Sequence, residues 1–152
     1  MLKFQITIDV DRPVEEVFAF LADFENVPKW NYFVLRVTKT SDGPIAVGTT
    51  YHQVRKTDEQ DFRIAELQPN HKITVETLPR SSPQFTRHFT LQAQGTATHI
   101  VDEWQLETGK PALIEKLAGG KVRSAVAENL GKLKTLLETG SVTLQGGRKE
   151  TL

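Results

Sequence analysis

Pro83-Gln84-Phe85-Thr86-Arg87-His88-Phe89-Thr90-Leu91-Gln92-Ala93, followed shortly by Ile100-Val101-Asp102-Glu103-Trp104-Gln105-Leu106, decides how this chain is read. In the first stretch the odd-numbered side chains are apolar except Arg87, and in the second the even-numbered ones are apolar except Asp102. Strand side chains alternate faces with a period of two, so each stretch reads as a strand with one core face that carries a single charge. A charge there is costly unless it is paired, hydrated or turned to a cavity. A tight turn at Gly95-Thr96 sets Arg87 opposite Trp104 and Phe89 opposite Asp102, which makes the two charges diagonal neighbours. A slip of two residues leaves their facing unchanged. Two readings stand side by side. One is a polar anchor for a ligand carboxylate, carbonyl or hydroxyl inside an apolar pocket; the other is a structural ion pair, or an arginine that reaches water at a strand end.

Outward from this pair the same alternation recurs. Leu2, Phe4, Ile6, Ile8 and Val10 oppose Lys3, Gln5, Thr7 and Asp9, which predicts a half-buried first strand. Asp11-Arg12-Pro13 opens a helix with Val14, Val17, Phe18 and Leu21 at helical spacing, and a short second helix or turn leads to the aromatic cluster Trp30, Tyr32 and Phe33. Turn residues at 41–44, 56–59, 68–70, 79–83 and 94–96 divide the next segment into strands near 34–40, 48–55, 60–67, 72–78, 84–93 and 98–107. Such short connections predict a meander. Pro111 begins the longest periodic segment, with Leu113, Leu117, Val122, Val126, Leu130, Leu133 and Leu137 on one stripe, and Gly140 ends it. Leu117, Val126, Leu130 and Leu133 are expected to point inward, and Gly119-Gly120 to mark a kink or a close approach. Residues 140–152 read as a polar tail, poorly ordered or a weak edge strand. The layout is α+β: one domain over 1–139, with an antiparallel sheet of about seven strands packed on a long C-terminal helix.

The chain has 152 residues, and its 19 basic and 19 acidic side chains cancel, so no global field draws it to nucleic acid or anionic lipid. The absence of cysteine excludes disulfides, thiolate metal sites and a cysteine nucleophile. No apolar run approaches the roughly 18 residues of a membrane span. A soluble, cytoplasmic protein without integral membrane association is expected; oligomeric state is not legible.

Several stretches resemble one family. Ile6-Thr7-Ile8-Asp9-Val10-Asp11-Arg12-Pro13-Val14-Glu15-Glu16-Val17-Phe18, Asp23-Phe24-Glu25-Asn26-Val27-Pro28-Lys29-Trp30, Val47-Gly48-Thr49-Thr50-Tyr51 and the closing 129–138 segment are similar to the polyketide cyclase/dehydrase branch of the START-like superfamily, also called SRPBCC. The resemblance implies a helix-grip fold, a curved sheet wrapped around the last helix with a hydrophobic cavity between them. It also implies that loops 56–59 and 79–83 border the entrance. Members of the superfamily transport lipids, sense hormones, cyclise polyketides or bind chaperones, and share no catalytic set.

Candidate ligand-binding residues are Arg87, Asp102, Trp104, Phe89, Phe62, Tyr51 and Trp30, with core packing the alternative for each aromatic. Catalytic residues are not identified; Arg87 and Asp102 are weak candidates. The four histidines lack metal-site spacing, and His88 and His99 point outward, while the face of His52 is open. No Gly-x-Ser-x-Gly elbow or phosphate-binding glycine loop is present. Basic residues between Lys110 and Lys134 alternate with acids and apolar residues, which suits a solvated helix face better than nucleic-acid binding. The expected function is binding of a small hydrophobic or amphipathic ligand, without metal or cofactor. The rivals are a cyclase/dehydrase-type enzyme, in which Arg87 would stabilise an enolate and Asp102 move a proton, and a protein-interaction module. An aspartate paired to arginine is a poor base, which favours binding.

Overall fold

Period-two alternation builds the larger part of the regular structure. The computed structural model describes residues 1–152, with β1 at Leu2–Val10, α1 at Val14–Ala22, a 3-10 helix at Phe24–Lys29, β2 at Val34–Lys39, β3 at Thr50–Arg55 and β4 at Glu59–Gln68. Then follow β5 at Lys72–Thr77, β6 at Gln84–Gln94, β7 at Ala97–Glu107, α2 at Ala112–Thr139 and a final hairpin, β8 at Ser141–Thr143 and β9 at Lys149–Thr151. Strands β1 to β7 form one sheet in the order β1-β7-β6-β5-β4-β3-β2, each pair antiparallel. The meander from β2 to β7 is as expected, with β1 added beside β7. The β6–β7 register places Arg87 against Trp104 and Phe89 against Asp102.

The sheet grips α2 along one edge. Gly119 approaches β1 so closely that an added Cβ would stand 2.9 Å from Leu2 Cδ1. Further along, Lys134 Nζ donates to the Asp9 carbonyl at 2.6 Å, and the Asp11 amide donates to Glu138 Oε2 at 2.7 Å. The helix therefore runs alongside β1 in the same sense. At strand and helix rises, both Leu2 to Asp9 and Gly119 to Lys134 span about 23 Å, so the two elements stay in step. Of the two roles expected of the glycine pair, Gly119 serves the close approach. Gly140 adopts the left-handed conformation at φ 87°, and its amide closes the helix on the Leu136 carbonyl.

Val126, Leu130 and Leu133 are buried as expected, but Leu117 is 75% exposed. The helix geometry explains the difference: at 3.6 residues per turn Leu117 lies about 180° around α2 from Val126, opposite the side that buries Glu115, Gly119, Val126 and Leu133, because the five-residue step from Leu117 to Val122 breaks the stripe. The C-terminal segment also departs from expectation. It folds into the β8–β9 hairpin, apart from the main sheet, with Val142 and Leu144 buried in the core. Arg148 Nη2 donates to the Pro28 carbonyl at 2.7 Å, and Tyr32 packs against Gly146. Two apolar residues in a short polar stretch gave too little periodicity to reveal this packing. No helix is long and apolar enough to cross a membrane.

Candidate functional site

A row of aromatic rings crosses the concave face because successive antiparallel strands bring same-parity residues side by side. Phe24 packs on Tyr51 at 5.6 Å between centroids, Tyr51 stacks on Phe62 at 5.2 Å, Phe62 meets Phe85 at 6.1 Å, and Phe85 meets Trp104 at 5.5 Å. Between this row and α2 lies a cavity of about 520 Å³. Phe62, Phe85, Trp104, Val75 and Leu106 line it from the sheet, Val122, Ala125 and Val126 from α2, and Phe24, Val27 and Val34 from the 3-10 helix and β2. That volume lies within the usual range of small-molecule sites.

Arg87 is the buried cation of the interior. Its Nε donates to Asp102 Oδ1 at 2.9 Å and its Nη2 to Oδ2 at 2.6 Å, a bidentate pair that leaves Nη1 unused. Asp102 is 0% exposed and Arg87 7%. The guanidinium carbon sits 4.3 Å from the Phe89 ring centroid and 4.4 Å from that of Trp104, with Trp30 at 5.5 Å. Rings on several sides and a carboxylate behind it hold the cation in one orientation, at little further entropic cost to a ligand.

Further polar side chains line the space, the amides Asn31, Gln53, Gln60 and Asn129 among them. Gln53 Nε2 donates to Gln60 Oε1 at 2.9 Å, and Gln60 Nε2 donates to the Pro83 carbonyl at 2.9 Å, so an amide chain fastens β3, β4 and the 79–83 loop together. Asn129 on α2 is 4% exposed and its Oδ1 has no hydrogen-bond partner. The Trp104 indole Nε1 is likewise enclosed without an acceptor. Arg55, held by Asp58 at 2.6 and 2.5 Å, lines the cavity together with Phe33 and the exposed Lys121.

The structure thus brings Arg87, Trp104 and Phe62 together on the cavity wall. It places the other four candidates elsewhere. Asp102 is shut behind Arg87, Phe89 packs against the guanidinium, and Trp30 is 1% exposed within the core. Tyr51 forms the neighbouring link of the aromatic row; burial foremost, then Asp23 and Glu25, push its phenol up to about 12, so it stays neutral. Parity places a residue on the right face but says nothing of which ring stands in front. The face of His52 is also settled: Tyr51 and Gln53 turn inward, and His52 lies outside with Nδ1 2.8 Å from Asp61 Oδ1.

Sequence reading passed over Gln53, Gln60 and Asn129. Each carried the signal that singled out Arg87. Gln60 shares parity with Phe62 and Ile64, Gln53 with Tyr51, and Asn129 interrupts the stripe of Val122, Val126, Leu130 and Leu133.

The profile of the family described as polyketide cyclase/dehydrase and lipid transport matches residues 1–138. The chain belongs to that family. No curated protein matches its sequence. Among solved structures, a START superfamily protein from Mycobacterium smegmatis superposes with a TM-score of 0.73 at 14% identity, covering 90% of this chain and 99% of that one. The di-domain ARO/CYC StfQ of the steffimycin biosynthetic pathway gives 0.68 at 15% identity, covering 89% of this chain and 44% of StfQ. The di-domain ARO/CYC BexL of the BE-7585A pathway gives 0.69 at 16%, with 92% and 48% covered. The chain therefore spans about half of each di-domain protein. At these identities the likeness establishes the polyketide cyclase/dehydrase family's START-like fold and leaves the ligand to the site itself.

Proposed function

We propose that this protein binds a small, largely apolar molecule with a carboxylate or carbonyl head, buried between the sheet and α2 with its head on Arg87 Nη1. The observation that carries this reading is the unused corner of a guanidinium whose other nitrogens are fixed by Asp102, at the wall of an apolar cavity. A positioned guanidinium favours an anionic acceptor, and the rings bury the rest of the molecule. Asn129 offers a second polar contact from the opposite wall.

The cyclase/dehydrase reading draws support from the family and from the titles of StfQ and BexL. Binding is favoured over it by the composition of the wall. The lining includes Arg55, Arg87 and Lys121 but no carboxylate, imidazole, hydroxyl or thiol, so the side chains around a bound molecule can donate hydrogen bonds but supply no ordinary base. Asp102 is engaged by Arg87 and lies outside the lining.

The test compares 2-naphthoate with naphthalene by equilibrium titration, in the wild type and in the Arg87→Met/Asp102→Leu double variant, which removes the charges together. The wild type should prefer the carboxylate by about 10- to 150-fold, from the roughly 1.5–3 kcal/mol of a hydrogen bond to a charged group. The double variant should lose that preference and retain naphthalene. An equal preference in both proteins would show that Arg87 only holds the sheet together. Native mass spectrometry with organic extraction of the purified protein then identifies any molecule it carries.

A further inference from the structure

The first turns of α2 present a surface that the cavity does not use. Leu113 is 71% exposed, Ile114 48% and Leu117 75%. Their spacing, i, i+1 and i+4, groups them on one side of the helix, and Lys121, one turn beyond Leu117, joins them. Isolated exposed leucines are ordinary, but three large apolar side chains within two turns are a contiguous patch that asks for a partner.

The surrounding charge indicates which partner. Lys110, Lys116, Lys121 and Arg123 are all exposed. The acid within the same turns, Glu115, is turned inward, with Thr108 Oγ1 donating to it at 2.7 Å and the Met1 amino group 2.7 Å away. Glu107, at the end of β7, also faces that amino group at 3.3 Å. The solvent side of this helix end is therefore apolar and cationic, although the whole chain carries no net charge. A second copy docking the same face would set lysines against lysines. An anionic lipid surface complements both components at once, because the leucines enter the acyl boundary while the cations remain among the headgroups.

We propose that the N-terminal end of α2 docks this protein reversibly on anionic membrane surfaces. Lys121 belongs both to this face and to the cavity lining, so docking sets the cavity's rim against the bilayer. An apolar molecule then passes between bilayer and cavity with little exposure to water.

Sedimentation with vesicles tests this on the full chain. One vesicle population is phosphatidylcholine alone, and the other contains phosphatidylglycerol in addition. Wild-type protein should bind the anionic vesicles and release them in high salt. Leu113→Ser/Leu117→Ser should weaken binding at least tenfold. Lys116→Gln/Lys121→Gln should weaken it by about 25-fold, since each cation near an anionic surface contributes about a fivefold factor. Lys149→Glu, a charge reversal on the distant hairpin, should bind as the wild type does. All substituted residues are exposed, so unchanged thermal unfolding separates lost docking from lost folding. Equal binding to both vesicle types, loss of binding in Lys149→Glu, no binding by the wild type, or a concentration-dependent dimer abolished by the leucine substitutions would each overturn the proposal.

Discussion

Removing Asp102 from behind Arg87 puts a number on the central pair. In Asp102→Leu the guanidinium remains between Phe89 and Trp104 with neither of its hydrogen bonds to the carboxylate. Breaking a buried pair from one side costs about 3–5 kcal/mol, because the surviving charge is left uncompensated. Arg87 lines the cavity, where water can reach it, so this variant belongs near about 3 kcal/mol. Arg87→Met strands a carboxylate with 0% exposure and belongs near about 5 kcal/mol. With about 2–4 °C per kcal/mol for a domain of this size, the expected drops in Tm are about 6–12 °C and 10–20 °C. Arg87→Met/Asp102→Leu removes both charges and should return to within about 1 kcal/mol of the wild type. Urea and thermal unfolding, followed by circular dichroism, measure all four proteins. If the double variant loses the sum of the two single losses, the residues act independently and the pair is not what holds the guanidinium in place.

Asn129→Leu replaces an enclosed, unpartnered amide with an apolar side chain of higher helix propensity at the edge of a cavity that can accept it. It should stabilise the protein by about 1 kcal/mol, raising Tm by about 2–4 °C, while weakening ligands that carry a hydroxyl; a fall in Tm would mean that the amide has a partner. Lys134 foremost, with the Asp11 amide, holds Glu138 below the ordinary glutamate range. A carboxylate depressed in the folded state contributes stability that is complete above its unfolded value, about 4.3, and is lost as pH falls through its own lower value. Unfolding between about pH 5 and 2 should therefore show a smaller acid-induced loss in Glu138→Gln than in the wild type. An identical pH profile would disprove that linkage.

Strand facing was legible because alternation is a local property. The expected β6–β7 register holds through Arg87, Trp104, Phe89 and Asp102, and the final helix ends at Gly140 as the sequence indicates. What was not legible depends on distance through space. Leu117 is an exception that the sequence did carry, since the five-residue step to Val122 turns it to the far side of α2. Tyr51 and Phe62 share the inner face and stack 5.2 Å apart, yet only Phe62 lines the cavity. Gln53 and Gln60 obeyed the same parity rule as Arg87, but an amide on an apolar face stands out less than a charge.

The place of β1 in the sheet has a consequence for the order in which the molecule is made. Its partner is β7, with Leu2 set against Leu106 and Val10 against Thr98. At roughly 5–20 residues per second of synthesis, the opening strand waits about 5–20 s for that partner to emerge. Throughout that interval Phe4, Ile6 and Ile8 lack their neighbours, whereas β2 to β7 can pair with strands adjacent in the chain. The opening strand is therefore the segment most exposed to capture by other nascent chains. α2, which roofs the cavity, is made later still, so the cavity is closed only after all seven strands of the sheet exist.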